Sequence, residues 1–157
     1  MTRNQLRVPK INVPIICYTT QGEAISGEVF LDLILTKGYS INQLLDYFNA
    51  QPPFFPIRLS SQKRAILLQK ESVVRLDVPQ LLEQYNEETA TFVTRKDAMV
   101  HFHTLGPARV TVVVDLPSEH SRFSDLVNMT TRRFFPAIIN DGFTLLNSNH
   151  IYKIEEL

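Results

Sequence analysis

Arg122-Phe123-Ser124-Asp125-Leu126-Val127-Asn128, then Phe134-Phe135-Pro136, Leu145-Leu146 and Ile151-Tyr152-Lys153-Ile154, form a run whose counterpart stands earlier in the same chain. The earlier run reads Leu44-Leu45-Asp46-Tyr47-Phe48-Asn49, Phe54-Phe55-Pro56, Leu67-Leu68 and Val73-Val74-Arg75-Leu76. Asp125 follows Asp46 by 79 residues, Phe134 follows Phe54 by 80 and Leu145 follows Leu67 by 78. So steady a spacing marks an internal repeat, two versions of one supersecondary unit. The copies are placed at residues 8–79 and 96–157, with a connector at 80–95.

The 157 residues suffice for one compact unit or two small ones packed together, burying roughly 70% of the unfolded surface. With 44% hydrophobic and 20% charged residues, the composition is that of a folded protein rather than a disordered one. Lys plus Arg and Asp plus Glu each number 16, so no overall field draws in a polyanion or an acidic membrane. A single cysteine, Cys17, excludes an intramolecular disulfide and reads as a small buried apolar residue. The first seven residues are polar with no apolar segment after them, and no apolar run approaches the ~20 residues of a membrane helix. A cytoplasmic protein is the expectation.

Residues 13–19 are rich in β-branched and aromatic side chains and run into a turn at Gly22, predicting a strand and a return strand over 24–35 bent near Gly27. Residues 99–104 and 109–116 predict the same hairpin again, with Tyr18 aligned to Phe102, Thr20 to Thr104 and Gly22 to Gly106. Ser40-Ile41-Asn42-Gln43 has the form of a capping box, with Tyr39 and Leu44 as a staple. Ile41, Leu44, Leu45 and Phe48 then make one apolar helix face, which Asn49 and Pro52-Pro53 end. Ser121 or Ser124 serves as cap in the second copy. Pro56 and Pro136 suit edge strands or bulges, and Asp141-Gly142 signals a tight hairpin. Short strands close each copy, at 64–68 with 73–78 and at 143–146 with 151–155. The fold class expected is mainly β with short helices: two tandem small SH3/Sm-like barrel copies, each of about five strands and one short helix.

The pattern Arg-Phe-Ser-Asp-Leu-Val-Asn at 122–128, Phe-Phe-Pro at 134–136 and Leu-Leu-Asn-Ser-Asn-His-Ile at 145–151 resembles a family of small bacterial domains without an assigned activity. More distantly, the ending Leu145 to Ile154 is similar to the last two strands of Sm-like barrels, among them the bacterial RNA chaperone, whose turn there helps to bind RNA. Sm-like proteins place their helix before the first strand, whereas this chain places it after the second. The basic turn of that family is replaced by Lys70-Glu71 and Asn149-His150.

Chemistry-bearing groups are sparse. All four histidines lie in the second half, and His101-x-His103 on a strand presents two imidazoles on one face, with Asp115, Glu119 or His120 as the nearest further ligands. Without a fuller ligand spacing, no metal is expected. Asp46 and Asp125 recur at equivalent places, each with Asn three residues on, which reads as helix surface and capping rather than an acid–base pair. No phosphate loop, nucleophile elbow or dinucleotide fingerprint occurs, so neither catalytic residues nor a cofactor are assigned. The candidate interaction surface is Phe54, Phe55, Arg132, Arg133, Phe134, Phe135, Asn149 and His150.

These readings lead to a non-enzymatic binding or regulatory protein that works through protein contacts, with a protein partner or self-association. An Sm-like RNA-binding protein is the first alternative; a small-molecule sensor with a pocket between the copies is the second. The copies are expected to share a core about an approximate twofold, with Phe54, Phe55, Phe134 and Phe135 largely buried and the connector held by Leu81, Leu82 and Tyr85.

Overall fold

The computed structural model describes residues 9–32, 40–62, 64–79, 94–114, 132–140 and 142–157. Of the connector, residues 80–93 lie outside the described residues, while Thr94 and Arg95 already stand on a strand; the helix expected in the second copy, with Asp115, Glu119, His120 and Asp125, also lies outside them.

The first half runs β1 (Lys10–Thr19), β2 (Ala24–Asp32), α1 (Ile41–Asn49), β3 (Phe54–Leu59), β4 (Ala65–Gln69) and, after a 3₁₀ turn at Lys70–Ser72, β5 (Val73–Val78). The second half runs β6 (Thr94–Phe102), β7 (Ala108–Val114), β8 (Phe134–Ile139), β9 (Gly142–Asn147) and, after a 3₁₀ turn at Ser148–His150, β10 (Ile151–Glu156). The ten strands of the described residues belong to one antiparallel sheet in the order β10-β6-β7-β8-β9-β5-β1-β2-β3-β4. The protein is mainly β.

The two halves use one strand order: β5-β1-β2-β3-β4 in the first and β10-β6-β7-β8-β9 in the second. Their registers correspond as well. Leu76 lies opposite Cys17, as Ile154 lies opposite Val100, and Cys17 opposite Ile25, as Val100 opposite Ala108. The hairpin offset is thus 83 residues, not the 84 of the sequence alignment: Tyr18 corresponds to His101 and Thr19 to Phe102. Alternation explains the correction, because a one-residue slip exchanges the two faces of a strand. Cys17 and Val100 are both fully buried, and only the offset of 83 superposes them.

α1 forms where the capping signal places it. Ser40 Oγ accepts from the Gln43 backbone N–H at 3.1 Å. The reciprocal half of the box is absent, since the Gln43 side chain donates instead to the carbonyl of Asp32 at the end of β2. Ile41, Leu44, Leu45 and Phe48 are all buried, the face that the spacing predicts.

Two expectations about backbone breakers change. Gly27 stays in regular register between Ile15 and Leu59, without a bulge. A Cβ there would come within 2.5 Å of the Arg58 carbonyl oxygen and 2.7 Å of Ile57 Cγ1, so the glycine admits the close approach of β3. Pro56 and Pro136 lie on interior strands rather than edges. Pairing of β3 with β2 is confined to Leu59 and Arg58, and that of β8 with β7 to Ile138 and Ala137, which leaves both prolines beyond those ladders. In the β8–β9 turn the left-handed residue is Asn140, with φ 48°, while Gly142 already begins β9.

Bulges occur elsewhere, at matching places: between Tyr18 and Thr19 opposite β5, where Val74 is the extra residue, and between Ile151 and Lys153, where Tyr152 is. Buried side chains fall into two clusters that borrow across the β5–β9 seam. Phe134, Phe143 and Leu145 from β8 and β9 belong to the core of the first half, and Val74 from β5 belongs to that of the second. Phe135, Ala137 and Leu146 fill the second core, so β8 and β9 are buried on both faces. Each such phenylalanine, leucine or valine side chain contributes roughly 1.5–3 kcal/mol of burial.

The expected twofold is not the relation found. A twofold would set β5 against its own counterpart β10, or β9 against β4, whereas the seam joins β5 to β9 and is head to tail.

Candidate functional site

The residues singled out from the sequence converge on the β5–β9 seam, except Phe54. Phe48 at the end of α1 meets Phe55 edge-on with ring centroids 5.0 Å apart and reaches Phe134 at 5.6 Å. Phe55, Phe134 and Phe135 are buried, while Phe54 is 48% exposed. Next to this stack, Asn49 donates from Nδ2 to the Phe134 carbonyl at 2.9 Å and accepts the Phe134 N–H on Oδ1 at 2.7 Å. A primary amide has one donor and one acceptor edge, so Asn49 satisfies Phe134 as a neighbouring strand would. Its sequence signal was only that of a helix stop.

Polar groups rim the seam. Glu71 forms an ion pair with the Arg133 guanidinium, Nε 3.2 Å from Oε2, and accepts from Asn149 Nδ2 at 3.2 Å, and its backbone carbonyl is bonded to the His150 ring. Arg132 pairs with Asp46 at 2.6 Å in an exposed bridge. The arginine pair and Asn149-His150 thus bind acidic or carbonyl groups of the first half. Below them Asn147 donates to the Val73 carbonyl at 2.9 Å and Thr144 to that of Leu76 at 3.1 Å, so both buried polar side chains of β9 fasten β5. A shallow open groove runs over this rim, lined by Asp46, Asn49, Ala50, Arg132 and Arg133.

Sequence reading missed Lys70, which it placed in a polar turn. Its side chain is buried, donating to the carbonyls of Tyr47 and Ala50, each at 2.8 Å, with the ammonium 5.0 Å from the Tyr47 ring centre. Desolvation, and secondarily the nearby Arg133 charge, push its pKa below the ordinary lysine value. A cation on the last carbonyls of a helix is a C-terminal cap, and that is its role here. Burial likewise pushes the Cys17 thiol up to about 12, helped by the Asp77 carboxylate, so the thiolate is suppressed.

His101 and His103 flank Tyr152, with ring centroids at 6.0 and 5.4 Å, and His101 Nε2 lies 2.7 Å from Glu155. Among the described residues no group of three His, Cys, Asp or Glu side chains is arranged to hold a metal ion. No helix among them is long and apolar enough to cross a membrane.

Among the described residues the two ends of the sheet remain open: β4 pairs there only with β3, and β10 only with β6. The large hydrophobic side chains left exposed among the described residues are Phe54 on β3, Leu67 on β4, Tyr152 on β10 and Leu157 just after it. No protein-family model matches this chain, and neither a curated protein nor a solved structure does.

Proposed function

We propose that this chain is a non-enzymatic binding protein of two tandem, small barrel-like copies of SH3/Sm-like kind, acting through protein contacts at the open edges of its sheet. The observation that carries the reading is the placement of its exposed large hydrophobics. All four lie at the terminal strands β4 and β10 or directly beside them, where no described strand pairs with the outer backbone N–H and C=O groups. Apolar side chains next to an open ladder are what strand addition by another polypeptide requires: main-chain bonds for affinity and side-chain contacts for selectivity.

The RNA reading would draw on Arg132, Arg133 and the aromatic pairs. Those arginines pair with Asp46 and Glu71, and Phe55, Phe134 and Phe135 are enclosed, so of the four phenylalanines it is Phe54, on β3, that shows a half-exposed ring.

The test is retention of proteins from the source organism's lysate on the immobilised chain, against a Leu67→Arg/Tyr152→Lys double variant. Proteins held by the wild type and released by the variant are the expected result. Retention of single-stranded RNA that weakens steeply with salt, unaltered in the variant, would establish the nucleic-acid reading instead.

A further inference from the structure

The seam inside the molecule shows what an open end of this sheet accepts. β9 holds the position in the second half that β4 holds in the first, and β5 the position of β10. Residues of β4 and β5 map onto β9 and β10 by adding 78: Leu67 to Leu145, Val74 to Tyr152, Leu76 to Ile154. The buried and bare members of these pairs divide by whether a neighbour is present. Leu145 and Val74 are 0% exposed in the seam; Leu67 and Tyr152 at the ends are 69% and 59% exposed. Phe134, enclosed by the first half, likewise corresponds to the half-exposed Phe54. One end of the molecule therefore offers the edge that the seam shows being covered, and the other offers the strand that covers it.

We propose that the molecule joins further copies of itself head to tail, the free edge of β10 pairing antiparallel with the free edge of β4 on the next molecule in the seam's register. This rests on the reading that the open edges act by protein contact, and it names the partner. In the seam Arg75 faces Leu146, Leu76 faces Leu145, Asp77 faces Thr144 and Val78 faces Phe143. Transferred between molecules, Lys153 faces Leu68, Ile154 faces Leu67, Glu155 faces Ile66 and Glu156 faces Ala65. Tyr152 follows Val74, the bulge residue that enters the neighbouring core, and lies toward the next molecule's β3 and β4.

Charged residues commonly protect an edge strand from pairing. Here they do not argue against it, because β5 carries the same pattern and is paired. Arg75 and Asp77 stand 3.6 Å apart along β5, and Lys153 and Glu155 stand 3.1 Å apart along β10. Such a contact is heterologous, using different surfaces on the two molecules, and it repeats until the assembly closes on itself.

Mass measurement by light scattering and sedimentation on the full chain is the first test. Multiples of 18.0 kDa that dissociate on dilution are expected, with Leu67→Arg giving a monomer whose thermal melt is unchanged. Register is tested with single variants Leu67→Cys and Ile154→Cys under mild oxidation: a disulfide-linked dimer is expected from their mixture and from neither alone. An 18 kDa particle at every concentration, or Leu67→Cys linking to itself, overturns the proposal. If the wild type is such a monomer yet the edge variants still release proteins from lysate, the binding reading stands and only the self-partner is lost.

Discussion

Asn49, the last residue of α1, holds both backbone polar groups of Phe134, 85 residues away, through one side-chain amide. The contact ties the helix of the first half to β8 of the second and fixes the start of the strand whose two faces are buried in different cores.

Replacing Asn49 by Ala leaves the N–H and C=O of Phe134 without those partners and should cost about 1–3 kcal/mol. Asn49→Asp keeps an acceptor for the N–H but sets a carboxylate against the Phe134 carbonyl, so it should rescue little. Urea unfolding of the three proteins, compared by midpoint at constant slope, gives the answer.

Lys70 predicts a pH dependence. Its folded pKa lies below the unfolded value of 10.5, so between the two the unfolded chain binds more protons and stability rises with pH. Lys70→Met removes that dependence together with the two bonds to the helix carbonyls. The stability difference between wild type and variant should therefore shift in the wild type's favour as pH increases toward 10.5, as followed by denaturant titration at several pH values.

Cys17 works in the opposite direction. Its folded pKa of about 12 exceeds the reference 9.0, so its contribution to stability is complete below pH 9.0 and is lost as pH rises through about 12. Native protein at pH 8 should resist alkylation and react stoichiometrically once unfolded in denaturant, with the labelled fraction read by mass spectrometry. Rapid labelling of the folded chain would contradict its burial.

Gly27→Ala should destabilise more than an ordinary strand substitution, because β3 must retreat from a Cβ that would lie 2.5 Å from a backbone oxygen. Overpacking of this kind costs typically 1–3 kcal/mol. Gly106→Ala is the control: a Cβ there meets nothing within 4 Å, and its thermal midpoint should hardly move.

The halves should not fold apart. Phe134, Phe143 and Leu145 complete the first core and Val74 the second, so residues 1–79 and 90–157 expressed alone each lack buried neighbours. Each is expected to melt well below the intact chain, which should unfold in one cooperative transition. Halves that match the intact midpoint would show independent beads.

Local rules carried much of the fold. The apolar face Ile41, Leu44, Leu45, Phe48 and the Ser40 cap were legible because a helix is set by contacts three and four residues apart, and β-branched and aromatic enrichment marked β1 while short apolar runs after polar turns marked β5 and β10. The recurring run in the sequence is matched, among the described residues, by the one strand order that both halves share. The hairpin was aligned one residue out, since chance matches at glycine and threonine outweighed the inside–outside pattern that strand pairing enforces.

How the halves meet was not in local pattern at all. Phe54 and Phe134 have the same neighbours in sequence, Phe-Pro after each, yet one is half exposed and the other enclosed. Nothing within a few residues distinguishes them; the difference is that β5 and α1 lie against the second-half hairpin and no described strand lies against β4. The same holds for Lys70, whose polar turn says nothing of the helix carbonyls it caps, and for Asn49, whose partner is remote in the chain. By itself the sequence determined the units, their periods and their buried faces, because those follow from backbone geometry and nearest neighbours. Tertiary structure alone decided the head-to-tail seam and the two bare edges, because strand pairing between distant segments depends on which edges remain unsatisfied once each half has formed.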